Sequence, residues 1–384
     1  MTTVELNNKD NADRAPDHER PSLHFLRPSS DTLKVPTCNT VIDLGTLTHN
    51  DLIDKVYAMA QELFPSWANQ KEDLSIHRIS GALTNAVFFV DARGKRRLLR
   101  VYGVGVDQLV DREKELAWLA RLGRLNLGPR LLAIFGNGRF EEYVDSVTLN
   151  HHDIRDPATS QQIAQCLARQ HAIIQIYPQP SSDPTLEIWK NVDKWYGLVK
   201  QLLPTLKQQH PDWAPLLDIY NFDRLGGEIE RSKRILSSVK SPVVFGHNDL
   251  QYGNILKRDD TGALVLVDFE YAGYNTRGYD LANHFIEWRY DYHGAQPAAM
   301  TEPFPTPDEQ LRFIQSYIDT NDTNATSAEE IRMEMQVWLG ATHVGWGLWG
   351  LIQASQSQID FDYFYYSMER LDAFRDELAK WNLD

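Results

Sequence analysis

Cysteine is nearly absent: Cys38 and Cys166 are the only two in 384 residues. Two thiols cannot build a disulfide framework, and there is no C-x-x-C pair, so a disulfide-stapled scaffold and a dithiol redox motif are both excluded. So few thiols fit a reducing compartment. No stretch approaches 18 uninterrupted apolar residues, so no membrane-spanning helix is expected. The first residues are polar and of mixed charge, without the apolar centre of a secretion signal. Positive charge is scarce as well: 39 Lys and Arg stand against 53 Asp and Glu, a formal charge of −14. That balance argues against non-specific nucleic-acid binding. These absences lead us to expect a cytoplasmic protein with no nucleic-acid partner and no stable membrane insertion. No internal repeat is visible. Aromatic residues, by contrast, are plentiful, with ten Trp and sixteen Tyr, too many for a disordered chain. At this length and 42% hydrophobic content, two lobes are expected rather than one.

Residues 1–40 lack apolar periodicity and are expected to form a disordered arm. Residues 49–64 carry Leu52, Val56, Met59 and Leu63 at helical spacing after Asn50, a capping-type residue. Residues 74–103 read as strand, turn, strand, turn, strand, with turns at Gly81 and Gly94. A helix over 111–128 and strands over 130–135 and 138–144 complete a β-rich first lobe, 41–145. From 146 to 384 the helical period dominates, over 160–175, 224–239, 279–289, 308–319, 327–355 and 362–381. Short strands are expected at 241–245, 254–257 and 263–268. His171 lies on an apolar helical stripe and reads as a core histidine. The order of elements is an α+β chain with a β-rich lobe, a connector and an α-rich lobe.

The chemistry concentrates in "FGHNDLQYGNIL", residues 245–256. His247-x-Asp249-x-x-x-x-Asn254 has the spacing of a kinase catalytic loop, and "VDFEY" places Asp268 where that pattern puts a metal-binding aspartate. Phosphoryl transfer needs a hard divalent cation held by oxygen ligands, which an amide and a carboxylate supply. It also needs a separate carboxylate to accept the proton of the attacking hydroxyl, and Asp249 stands at that position. Upstream, "SGALTNAVF" offers Ser80, Gly81, Thr84 and Asn85 on a hairpin that could cover phosphates. Arg100 takes the strand position of the phosphate-binding lysine, with Glu115 on the next helix as its expected partner. Glu142 and Val144 fall in the connector whose backbone would hold the adenine edge.

A protein kinase is excluded by Glu270 in the third place of the D-F-G triplet and by the lack of an A-P-E segment. Instead, "EYAGYNTRGYDLANHFIEWRYDY" (270–292), "HNDLQYGNIL" and "WGLWGLIQ" (346–353) resemble the choline/ethanolamine kinase family. The resemblance runs from about residue 45 to 380. It implies a protein-kinase-like two-lobe fold and an ATP:alcohol phosphotransferase that uses Mg²⁺. It makes Asp249 the base and Asn254 and Asp268 metal ligands, with Glu270 as a second metal contact. It also places Gln251, Tyr271, Glu287, Tyr292, Trp346 and Trp349 around the amino-alcohol, and a homodimer is compatible with it. A quaternary ammonium has no N–H to donate and must be held by aromatic faces. Trp346 and Trp349 share a helix face, and Glu287 could balance the cation's charge. The expected activity is therefore choline kinase, making phosphocholine as the first step toward phosphatidylcholine. The alternatives are an ethanolamine kinase, an aminoglycoside-type phosphotransferase and a nucleotide-binding pseudokinase.

Overall fold

The structure, a computed structural model, describes residues 2–6, 33–65, 67, 71–79, 85–102, 109–321, 326–357 and 359–381. It forms two compact units: residues 1–147 with 258–270, and residues 148–257 with 271–384. The return of 258–270 to the first unit is not anticipated by a single cut near 145.

The first unit is built on a seven-stranded sheet. Its strands are β1 (Thr2–Leu6), β2 (Leu33–Thr37), β3 (Leu74–Ile79), β4 (Asn85–Ala92), β5 (Lys95–Tyr102), β6 (Leu131–Phe135) and β7 (Gly138–Glu142). They take the order β1-β2-β6-β7-β5-β4-β3. The β2–β6 pair is parallel and the others are antiparallel. Two of these strands lie inside the segment expected to be a disordered arm. A strand needs only a backbone ladder to pair with, so weak apolar periodicity did not reveal it. The remainder of that arm lies outside the described residues, apart from Cys38–Thr40.

Alternation along β5 and β7 gives the sheet two different faces. Leu99, Val101 and Phe140 join a core under α1 (His49–Leu63), which contributes Leu52, Val56, Met59 and Leu63. Asn50 is not the cap of α1: Thr48 is, in a reciprocal capping box with Asp51. The other face carries Arg100, Arg139 and Glu141, near α2 (Arg112–Arg124).

The remaining elements are β8 (Ser146–Thr148), α3 (Pro157–His171), α4 (Glu187–Gln209), α5 (Ala214–Tyr220), α6 (Phe222–Ser237), β9 (Val243–Gly246), β10 (Ile255–Arg258), β11 (Leu264–Leu266), β12 (Gly273–Thr276), α7 (Arg277–Glu287), α8 (Pro307–Asn321), α9 (Ala328–Gln356) and α10 (Tyr363–Lys380). One small sheet has the order β11-β10-β8, and β9 pairs with β12. In the second unit α9 packs against α4, α7 and α10. It is buried without a break from Trp338 to Gln353. Gly347 permits the close approach of α10: a Cβ there would lie 2.7 Å from Leu371 Cγ. That approach brings Tyr366 and Arg370 of α10 against the aromatic residues of α9.

Candidate active site

The loop after β9 is held from below by α7. Asp280, fully buried in the first turn of α7, accepts hydrogen bonds from the backbone N–H groups of His247 and Asn248, both at 2.7 Å. Its Oδ2 also meets His171 Nε2 at 2.8 Å, and His171 Nδ1 meets the Tyr317 hydroxyl at 2.8 Å. The histidine read as a core residue is thus a satisfied core histidine that also steadies the loop's anchor. Burial opposes the charged form of Asp280, but His171, then His247 and the Asn248 N–H, hold its carboxyl below the usual range. Asn248 turns the chain with φ +66, a left-handed conformation that asparagine tolerates. It donates to the Tyr271 carbonyl at 2.9 Å and accepts from Asn275 Nδ2 at 2.8 Å. Gly246 is required by this crowding, since a Cβ there would lie 2.6 Å from Asn248 Oδ1.

The far end of the loop is oriented in turn. Asn254 Nδ2 donates to both the backbone oxygen and the Oδ2 of Asp249, at 2.8 and 2.9 Å. Those bonds use the amide nitrogen of Asn254 and leave its oxygen as the group suited to a metal. Asp249 is half-buried. Gln251, expected beside the amino-alcohol, accepts from the Gly253 N–H at 2.8 Å and so caps the turn.

One turn beyond Asp280 on the same face of α7, His284 holds the loop again. Its Nδ1 donates to the Leu250 carbonyl at 2.8 Å, and Nε2 accepts from Trp288 Nε1 at 3.1 Å. Accepting at Nε2 needs a neutral ring, with its one proton on Nδ1. Burial pushes the imidazole down to about 4, below its unfolded value of about 6.5. A depressed folded value means that the unfolded chain binds the proton first. The contribution is therefore complete above about pH 6.5 and is lost as pH falls toward 4, by on the order of 3 kcal/mol. Urea unfolding from pH 7.5 to 4.5 should show a steeper loss of stability for the wild type than for His284→Gln. Equal slopes would remove His284 from this role.

The second unit also gathers a chain of rings. Tyr271 and Trp346 lie 5.2 Å apart at 74°, and Trp346 and Trp349 lie 5.4 Å apart at 82°. Tyr366 follows Trp349 at 6.4 Å, Phe361 follows Tyr366 at 5.8 Å, and Tyr292 follows Phe361 at 6.3 Å. Planes near right angles form the corner of a box rather than a stack. The indole N–H groups fix it: Trp346 donates to Asn283 Oδ1 at 2.7 Å and Trp349 to the Tyr271 hydroxyl at 2.8 Å. Glu287 accepts from the Tyr292 hydroxyl at 2.6 Å and from Arg370 at 3.0 Å.

In the first unit the expected Arg100–Glu115 pair does not form. Register is the reason: Arg100 stands directly opposite Arg139 in the β5–β7 ladder, and two adjacent guanidiniums must share the nearby carboxylates. Arg139 takes Glu115 at 2.7 Å and Glu141 at 2.6 Å, while Arg100 meets Glu141 and Asp268, each at 3.3 Å. Arg112 reaches Glu115 at 2.7 Å and Glu270 at 3.4 Å. Glu115, Asp268 and Glu270 each offer an oxygen, all within 4.8 Å of one another. Burial, then the charge of Asp268, pushes the Glu270 carboxyl up to about 8. Three crowded carboxylates of this kind form a donor set that suits a hard divalent cation. Asp268 also has φ +64, so its side chain is presented from a left-handed turn.

Ser80, Gly81 and Thr84 lie outside the described residues, as does the side chain of Asn85. The Glu142 carboxylate is engaged by Arg130 Nε and Nη2, both at 3.1 Å, and the Glu142 N–H donates to the Arg130 carbonyl. The Val144 carbonyl accepts from Ser146. Sequence reasoning missed Asp280, His284, Arg370, Tyr366 and Phe361. It also missed α4, although Ile188, Val192, Trp195, Val199 and Leu206 carry a clear helical period. That helix brings Trp195 to 6.2 Å from Tyr271 and 6.5 Å from Trp346.

Comparison with known proteins identifies the family. Residues 76–375 match the family model described as choline/ethanolamine kinase. A probable choline kinase 3 of Arabidopsis thaliana is 34% identical over 330 residues, covering 83% of this chain and 91% of that protein. A probable ethanolamine kinase of the same plant is 29% identical over 357 residues, covering 90% and 91%. Among solved structures, an ethanolamine kinase of Plasmodium vivax is 26% identical with a TM-score of 0.72, covering 86% of this chain and 91% of that one.

Proposed function

Because the chain belongs to the choline/ethanolamine kinase family, we propose that it transfers the γ-phosphoryl group of ATP to the hydroxyl of choline. The products are phosphocholine and ADP, and the step is the entry to phosphatidylcholine synthesis. The observation that carries this reading is the chain of rings from Tyr271 through Trp346 and Trp349 to Tyr292. A quaternary ammonium is held by ring faces and not by hydrogen bonds. Ethanolamine is the second substrate, and a poorer one. The Glu287 carboxylate favours retaining it, as do relatives named for it.

In this reading Asp249 accepts the proton of the choline hydroxyl as the oxygen–phosphorus bond forms, and the bond from the γ-phosphorus to the ADP oxygen breaks. Asn254 holds the Asp249 carboxylate in place through its amide nitrogen. Asp268 and Glu270 would hold Mg²⁺, which would neutralise phosphate charge, and the Asn254 oxygen is the further ligand that the family resemblance implies. Arg100, kept in position by Glu141 and Asp268, supplies positive charge to the phosphates.

The ring set gives the test. Loss of one aromatic face in a desolvated site costs about 2 kcal/mol, or roughly a 30-fold drop in kcat/KM for choline. Trp346→Ala should show that drop, with a smaller one for ethanolamine, whose ammonium can still donate to carboxylates. KM for ATP should stay nearly constant, and Trp346→Phe should recover part of the loss. An equal loss for both substrates would make Trp346 a packing residue and count against choline as the preferred alcohol.

A further inference from the structure

The ring set contains a carboxylate, Glu287, but that carboxylate does not act as a bare charge. Behind it lies Arg370 of α10, fully buried. Arg370 donates to Glu287 Oε1 at 3.0 Å and to the Tyr366 hydroxyl from two nitrogens, at 3.0 and 3.2 Å. Its guanidinium stands over the rings of Tyr290 and Tyr366, at 5.1 and 5.2 Å. A third nitrogen lies 3.4 Å from His343 Nδ1. Burial, then the charge of Arg370, keeps the His343 ring well below its usual range, so His343 adds no second cation. The other Glu287 oxygen takes the Tyr292 hydroxyl. Glu287 therefore faces the rings as half of a compensated ion pair.

We infer that Arg370 is a specificity-determining residue: by cancelling the charge of Glu287 it tilts the ring-lined site toward a quaternary ammonium and away from a primary one. The inference rests on the amino-alcohol kinase reading and deepens it. A primary ammonium is a compact, strongly hydrated charge with three donors. Stripping its water is offset best by acceptors that carry net negative charge. A quaternary ammonium has no donors, and its methyl groups and spread charge are satisfied by ring faces. A neutralised carboxylate thus weakens the hold on ethanolamine more than the hold on choline. Arg370 works through Glu287 and positions it, without itself touching the alcohol.

The test is a charge cycle read in KM and kcat for both alcohols, using the full chain and its Arg370→Gln, Arg370→Lys, Glu287→Gln and Glu287→Gln/Arg370→Gln variants. Arg370→Gln should lower the choline-to-ethanolamine ratio of kcat/KM by about tenfold, through KM for ethanolamine, with kcat nearly constant. Arg370→Lys, which keeps the charge, should stay near the wild-type ratio. Glu287→Gln leaves Arg370 uncompensated and should raise KM for both alcohols, and adding Arg370→Gln should bring both back down. That last comparison does not need the Arg370→Gln single variant to fold. An unchanged ratio in Arg370→Gln, or no recovery in the double variant, would overturn the inference while leaving the kinase reading intact. A wild-type protein that phosphorylates neither alcohol would overturn both.

Discussion

Asp249→Asn should leave the protein folded and lower kcat by roughly 10²–10⁴-fold, the usual worth of a positioned general base. The fold should survive because the loop's anchors do not pass through this carboxylate. His247 and Asn248 are held by Asp280, and Leu250 by His284. The Asn254 amide keeps its bond to the backbone oxygen of residue 249 in the variant. What disappears is an acceptor for the alcohol's proton, so KM for ATP and for choline should move much less than kcat. Steady-state kinetics on protein checked by circular dichroism and thermal melting make the comparison. Near-normal turnover by a pure variant would remove Asp249 from the base role.

Asp268→Asn should abolish activity at any practical Mg²⁺ concentration, a loss of at least about 10³-fold if the metal supplies several kcal/mol of charge stabilisation. Asparagine is preferred to alanine because residue 268 has φ +64, and asparagine tolerates that region. The variant removes one carboxylate from the set it shares with Glu115 and Glu270. Arg100 keeps Glu141 as a partner, so the melting temperature should change little. Rate measured against added Mg²⁺, with a chelator control on the wild type, decides the matter. Recovery of the wild-type rate at high Mg²⁺, or a chelator-insensitive wild type, would contradict the assignment.

Much of the architecture is written in periodicity. The bounds expected for α7 to α10 fall within a few residues of those found, because long apolar periods dominate local propensity. The loop proposed to be catalytic, 247–254, is legible for a different reason: the chemistry proposed for it calls for residue types at fixed spacing along one stretch of chain. The pairings are where sequence reasoning fails. Nothing in "LLRVYG" says that Arg100 will face Arg139, because register is set by strands distant in the chain. Asp280 and His284 read as ordinary polar residues of an amphipathic helix until α7 is seen to be buried along its whole length. Arg370 looks like a surface charge in "MERLDAF". Only the close approach of α10 at Gly347 shows it to be an internal counter-charge. The first strands escaped notice because a ladder at a sheet edge needs no apolar period.

The most direct measurement is a competition. Purified protein is given equimolar choline and ethanolamine with limiting ATP and Mg²⁺, and the phosphorus NMR signals of the two phosphomonoesters are followed. The account predicts phosphocholine as the major product, with phosphoethanolamine forming more slowly, and no product when Asp249→Asn replaces the wild type. Phosphoethanolamine as the major product, or ATP consumed with neither ester formed, would contradict it.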